Sequence, residues 1–226
     1  MDVDAYVSTA DISDAGSLAA DAEAFGFDGF WVTEATHSPY TLLTLAAEHT
    51  ETIDVGSSIA VAFPRSPMVT AYTAWDLQRL SSGRLTLGLG AQVKGHNERR
   101  FSVDFEWERP GPRLREYVEV VRHLWDRWQA GEDGHYQGEF YEITLCPEEF
   151  TPAPLDSPPP ELYVAGVNPF NLKLAGHLGD GLHVHPLHSP RYVEEVVVPN
   201  VETGTDIAGR SLDDVTLSAQ VFAITG

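Results

Sequence analysis

Histidines 183, 185 and 188 stand close together in the run His183-Val184-His185-Pro186-Leu187-His188. On a β-strand, side-chain alternation would point the rings of His183 and His185 to one face, as a metal-binding pair requires. A metal site needs ligands from other strands as well, and only Glu34 and Asp180 offer themselves. No metal is therefore assigned, and a hydrogen-bonded histidine pair is the preferred reading. Gly166-Val167-Asn168-Pro169 is a second candidate. Glycine permits close backbone approach, asparagine tolerates unusual dihedrals, and proline suits the first helical position, where free N–H groups attract an anion. This is a phosphate seat or an ordinary strand-to-helix turn, with Arg65 and Lys94 as the nearby cations. Glu34 and His37 form a third candidate, an acid/base pair in which the carboxylate favours the protonated ring. The alternative is that Glu34 accepts hydrogen bonds from backbone N–H groups. Gly88-Leu89-Gly90 lacks the third glycine of a dinucleotide fingerprint, which excludes that reading. Ser81, Ser211 and Ser218 show no nucleophile elbow, and Cys146 has no motif around it.

These residues need elements to place them. Strands are predicted at 3–7, 30–33, 53–63, 84–89, 162–165, 181–185 and 215–224. Helices are predicted at 15–25, from Ser38-Pro39, from Ser66-Pro67 through Leu80, at 112–128, at 169–178 and from near Pro190. Six of the seven strands are followed by a helix, the cadence of parallel βα units. Residues 129–160 break that rhythm with alternating aromatics and a cluster of prolines, and read as a hairpin plus an extended excursion. In parallel βα folds, sites gather at the C-terminal ends of strands. That places Glu34, His37, Ser57, Ser58, Gln92, His96, Asn97, Asn168, His183 and His185 around one mouth.

Composition narrows the partners. Fourteen Lys+Arg against 34 Asp+Glu give a net charge of −20, which argues against nucleic acid and anionic membranes. Lys94 and Lys173 are the only lysines, and such an acidic, lysine-poor chain suits high salt, where self-repulsion is screened. A halophilic protein is expected. A single cysteine allows no internal disulfide and suits the cytoplasm. No apolar run approaches the ~20 residues of a membrane span, and the acidic start lacks the basic region of a signal peptide.

Several blocks in order carry a resemblance: Gly56-Ser57-Ser58-Ile59-Ala60-Val61-Ala62-Phe63-Pro64-Arg65-Ser66-Pro67, Ala74-Trp75-Asp76-Leu77-Gln78, Ser81-Ser82-Gly83-Arg84-Leu85-Thr86-Leu87-Gly88-Leu89-Gly90, Tyr163-Val164-Ala165-Gly166-Val167-Asn168-Pro169 and Leu174-Ala175-Gly176-His177-Leu178-Gly179-Asp180-Gly181. From about residue 3 onward the chain resembles the luciferase-like monooxygenase superfamily, in particular its oxidoreductases that use the deazaflavin coenzyme F420. The resemblance implies a TIM-barrel-like (β/α)8 fold of the bacterial luciferase type, as a single domain over 1–226 with the excursion at 129–160. It implies a cofactor at the C-terminal mouth and a non-prolyl cis peptide between Ser58 and Ile59. It assigns His37, with Glu34, to the reactive ring edge as the proton carrier, although Glu34-Ala35-Thr36-His37 is one residue longer than relatives in which the acid and histidine adjoin. Gln92, His96 and Asn97 would touch the ring's carbonyl edge, and Gly166, Val167 and Asn168 would seat the phosphate. His185 joins the cofactor-contacting set. The implied chemistry is hydride transfer between the deazaflavin and a small organic substrate. The alternatives are an FMN-dependent monooxygenase, a metal-dependent βα-barrel hydrolase, and an inactive fragment. A closed βα barrel typically takes ~250 residues, and this chain stops after its seventh strand, so a truncated barrel is expected. Its open edges would invite pairing into a homodimer.

Overall fold

A computed structural model describes residues 1–8, 11–103, 107 and 109–222. The chain alternates β1 (Ala5–Val7), α1 (Ala15–Ala24), β2 (Gly29–Val32), α2 (Pro39–His49), β3 (Asp54–Ser57), β4 (Ala60–Val61), α3 (Pro67–Leu80) and β5 (Leu85–Gly90). It continues through α4 (Lys94–Arg99), α5 (Pro110–Gln129), β6 (Tyr136–Gln137), β7 (Glu142–Ile143), β8 (Glu161–Gly166), α6 (Pro169–Leu178) and β9 (Gly181–Val184). The last elements are α7 (Pro190–Tyr192), a π-helical turn Val193–Val197, α8 (Val198–Ala208) and β10 (Thr216–Ala219). Four helices open as the sequence predicts, on Ser or Asn followed by proline. Ser66 accepts from the Val69 amide at 3.2 Å, Asn168 from the Asn171 amide at 2.9 Å and Ser189 from the Tyr192 amide at 3.2 Å, while Ser38 precedes Pro39 without a side-chain cap.

The main sheet is wholly parallel and runs β1-β2-β3-β5-β8-β9-β10, with β4 beside β5. Strand order follows chain order, so the sheet curls as a half-barrel with helices packed outside it. Buried Leu85, Leu87, Leu89, Leu162, Val164 and Leu182 face those helices, as expected of parallel strands covered by a helical layer. Inside the curl, large rings face glycines. A Cβ on Gly56 would lie 2.2 Å from the Trp31 indole, and one on Gly181 2.6 Å from the Tyr163 ring. Alternating large and empty positions let the interior close without voids.

Three expectations need correction. The single strand predicted over 53–63 is two, β3 and β4, because the backbone turns at the Ser58–Ile59 peptide, which is cis. The stretch after β5, for which the sequence predicts no helix, carries α4, stabilised by the buried Asn97, whose Nδ2 donates to Ala91 O at 2.9 Å and Val93 O at 3.2 Å. The last strand ends at Ala219; Ile224, where the sequence reading ended it, lies outside the described residues. After α5 the hairpin β6–β7 leads into extended chain tied to α3 and α5 by Trp75 Nε1 to Ala153 O, Gln78 Nε2 to Pro158 O, and reciprocal Gln129–Leu155 bonds. Among the described residues, no helix is long and apolar enough to cross a membrane.

Candidate functional site

The C-terminal ends of the strands open into a cleft of about 1090 Å³. Ser58 and Ile59 form one wall, Gly90 and Gln92 the lip after β5, and Gly166, Val167 and Asn168 the turn after β8. His183 and His185 come from β9 and the residue after it. Gln92 holds a left-handed backbone, φ 57°, and its Oε1 accepts from the Val93 amide at 3.0 Å. The cleft therefore gathers Ser58, Ile59, Gln92, Gly166, Val167, Asn168 and His185 of the sequence-predicted set.

His37, Glu34, His96 and Asn97 do not line it. His37 is half-buried on the loop after β2, His96 is exposed on α4, and Asn97 is buried with its amide spent on the loop backbone. The partners of the Glu34 carboxylate are Arg65 and the Val61 backbone, not His37. That carboxylate takes two hydrogen bonds from Arg65, at 2.8 and 2.9 Å, and one from the Val61 amide at 2.8 Å. The backbone-accepting alternative for Glu34 thus describes its geometry, and Arg65 is committed to it rather than to the cleft. Lys94 does line the cleft. Gly166 is required for a different reason from close ligand approach. A Cβ there would meet Asn171 Cβ at 2.8 Å, so its bareness lets α6 start tight against β8.

The two histidines at the end of β9 part company. His185 Nδ1 accepts from the Leu187 amide at 3.1 Å, which leaves Nε2 to carry the proton of the neutral ring. His183 is buried, edge-on to Trp31 at 5.0 Å and tilted against Tyr163 at 5.3 Å, and its Nε2 has no hydrogen-bond partner. Burial pushes its pKa down to about 4, and the nearby Ser57 carbonyl opposes that shift without overcoming it. The ring is neutral at physiological pH. The expected hydrogen-bonded pair is thus replaced by one capped ring on the rim and one desolvated ring on the floor. Among the described residues, no three His, Cys, Asp or Glu side chains are placed to hold a metal ion.

Sequence reasoning missed Arg109 and Phe170. Arg109 precedes Pro110-Gly111-Pro112, which opens α5 at the cleft; its guanidinium pairs with Glu139 and lies 5.4 Å from the Phe140 ring centroid. The Pro-Gly-Pro run at a helix start was the available signal. Gly111 has no side chain because Phe170, on α6, occupies that space at 2.8 Å.

The sequence profile of the luciferase-like monooxygenase family matches residues 2–226. The chain belongs to this family. An uncharacterized protein of Mycobacterium tuberculosis is 42% identical over 212 residues, covering 94% of this chain and 62% of the relative. The 5,10-methylenetetrahydromethanopterin reductase of Archaeoglobus fulgidus is 32% identical over 194 residues, covering 85% and 54%. Among solved structures, the coenzyme F420 dependent tetrahydromethanopterin reductase of Methanopyrus kandleri superposes with a TM-score of 0.79 at 25% identity, over 96% of this chain and 65% of that one. The chain thus spans a little over half to two thirds of its relatives' length.

Chemically, this luciferase-like cleft has two ends. Ile59, Ala165 and Val184 give an apolar wall on which a flat ring can lie, with the Gln92 amide at its edge. The start of α6 gives an end that favours negative charge; Lys94 and Arg109 also line the cleft, each paired with a carboxylate, Glu98 at 3.5 Å and Glu139.

Proposed function

We propose that this chain is an oxidoreductase using coenzyme F420 to pass hydride to or from a small organic substrate. The observation that carries the reading is the junction, in one cleft, of an apolar wall at Ile59 with the anion-favouring start of α6. A ring with a phosphate-bearing tail needs both at once. The 32% identity to the Archaeoglobus reductase supports the choice of cofactor. When bound, the deazaflavin supplies the hydride-accepting and hydride-donating carbon. The chain's own residues bind, orient and manage the proton. Asn168 caps the first turn of α6 by accepting from the Asn171 amide, and with Gly166 and Val167 it lines the end of the cleft where the phosphate-bearing tail would rest. Ser58 and Gln92 offer polar contacts at the ring's margin, and the aliphatic wall excludes water from the reacting face. His185 is our candidate for the proton, because the Leu187 amide fixes its tautomer and leaves an Nε2–H donor.

The test is titration with F420 and, in parallel, FMN, in molar KCl because the chain carries a charge of −20. Saturable quenching of F420 fluorescence at one equivalent, with weaker response to FMN, is the expected outcome. Tighter FMN binding, with oxygen uptake on reduction, would move the chain to the FMN-dependent monooxygenase reading. No response to either dye rejects both. His185→Ala is then expected to lower kcat by about a hundredfold or more, the usual range for a lost general acid or base, and His37→Ala by less. The reverse ranking in a pH–rate comparison would return the proton to His37.

A further inference from the structure

Beyond β2 the cleft wall loses a neighbour. β2 ends at Val32, whose carbonyl accepts from Ser58 N at 2.7 Å, so the chain from Ile59 to Val61 has β5 on one side and no strand on the other. The backbone of Glu34 and the side chains of Glu34 and Arg65 take the vacant place. Glu34 N donates to Ile59 O at 3.2 Å, and the Glu34 carboxylate accepts from Val61 N at 2.8 Å. Arg65 closes the ring, donating to both carboxylate oxygens and, from Nη1, to Val61 O at 3.1 Å. Both backbone polar groups of Val61 are thus held by one ion pair. The Glu34 side chain is 6% exposed and that of Arg65 21%, and the Arg65 guanidinium lies 5.0 Å from the Tyr40 ring centroid. A two-pronged, charge-assisted pair shielded from water fixes geometry in a way a surface pair does not.

We propose that Glu34 and Arg65 are positioning residues that replace a missing strand partner and hold the Ser58–Ile59 wall where a flat cofactor ring must rest. The inference rests on the reading of the cleft as a cofactor site. It removes Glu34 from proton transfer and gives it a mechanical role.

Three variants test it: Glu34→Gln, Arg65→Lys and the double variant Glu34→Gln/Arg65→Met. Glu34→Gln is expected to speed hydrogen exchange at the Val61 amide by tenfold or more, and to weaken F420 binding at least tenfold. Arg65→Lys keeps the charge but not the two-pronged bond, and is expected to weaken binding similarly. The double variant leaves no unpaired charge, so its thermal midpoint should return toward wild type. Its Val61 exchange and its F420 affinity should not. Recovery of affinity together with the midpoint would reduce the pair to a general stabiliser and overturn the proposal, as would unchanged Val61 exchange in Glu34→Gln. If the wild-type protein binds neither F420 nor FMN, the functional reading fails by itself, and Val61 exchange in the single and double variants decides the clamp.

Discussion

Replacing Gly88 with alanine is expected to leave almost no soluble folded protein. Gly88 sits mid-way along β5, paired with Tyr163 on β8. Toward β3 its amide donates to Ser57 Oγ at 3.0 Å, and its carbonyl accepts from the same hydroxyl at 2.9 Å. A Cβ at this position would lie 1.9 Å from the Ser57 carbonyl oxygen and 2.6 Å from His183 Nε2. Neither neighbour can yield cheaply. Moving Ser57 O displaces the strand that leads into the cleft wall, and the His183 ring is boxed in by Trp31 and Tyr163. Overpacking a core commonly costs 1–3 kcal/mol, and a clash with backbone belongs at or beyond the top of that range. A loss of about 4 kcal/mol takes most of the stability of a domain at the lower end of the usual ~5–15 kcal/mol. Gly131→Ala is the control. Gly131 has a left-handed φ of 71° with nothing within 4 Å of its Cβ position, so it should cost only ~1 kcal/mol of backbone strain. Soluble yield and urea midpoints of the two variants decide the matter; a wild-type midpoint for Gly88→Ala would show that the interior is looser than described.

The second large effect is acid sensitivity arising from His183. Its pKa lies near 4 in the folded chain and near 6.5 when unfolded. A histidine with a depressed folded pKa is protonated first in the unfolded state. Its contribution to stability is therefore complete above about pH 6.5, and is lost as pH falls toward 4. At pH 4.5 the loss amounts to roughly 2.5 kcal/mol from this residue alone. Asp4, Asp54 and Glu161 act in the opposite sense, because burial raises their pKa values and makes the folded state bind protons first. A wild-type profile therefore sums opposing slopes, and the difference against His183→Leu isolates the histidine. Leucine leaves no unpartnered Nε2 in the core, so His183→Leu should be about as stable as wild type at pH 7.5 and more stable by about 2–3 kcal/mol at pH 4.5. Parallel stability curves across that range would mean the ring is solvated.

Much of the architecture was legible in the residues. Alternating apolar runs and proline-opened helices announce the βα cadence, because helix starts and buried strands are local in cause: Asn168 caps α6 through its own neighbour Asn171, and Pro67 begins α3 one residue after its cap. The site was legible where it depends on strand ends. Ser58, Ile59, Gln92, Gly166, Val167, Asn168 and His185 all meet in the cleft. It was illegible where it depends on which polar group wins a partner. Glu34 lies three residues from His37 in sequence, yet its carboxylate binds Arg65, 31 residues away. His183 and His185 are spaced to share a strand face, yet β9 ends at Val184, and one ring is desolvated among aromatics while the other is capped by the Leu187 amide.

By its sequence alone, then, this protein determined its βα order, its family and the strand ends around which a site can form, since periodicity, capping and turn chemistry act over a few residues. Only the tertiary structure decided the division of labour among its polar groups. Hydrogen bonds and desolvation at Glu34, Arg65 and His183 are set by what the curled sheet brings within about 3 Å or shuts away from water, and no spacing along the chain encodes that.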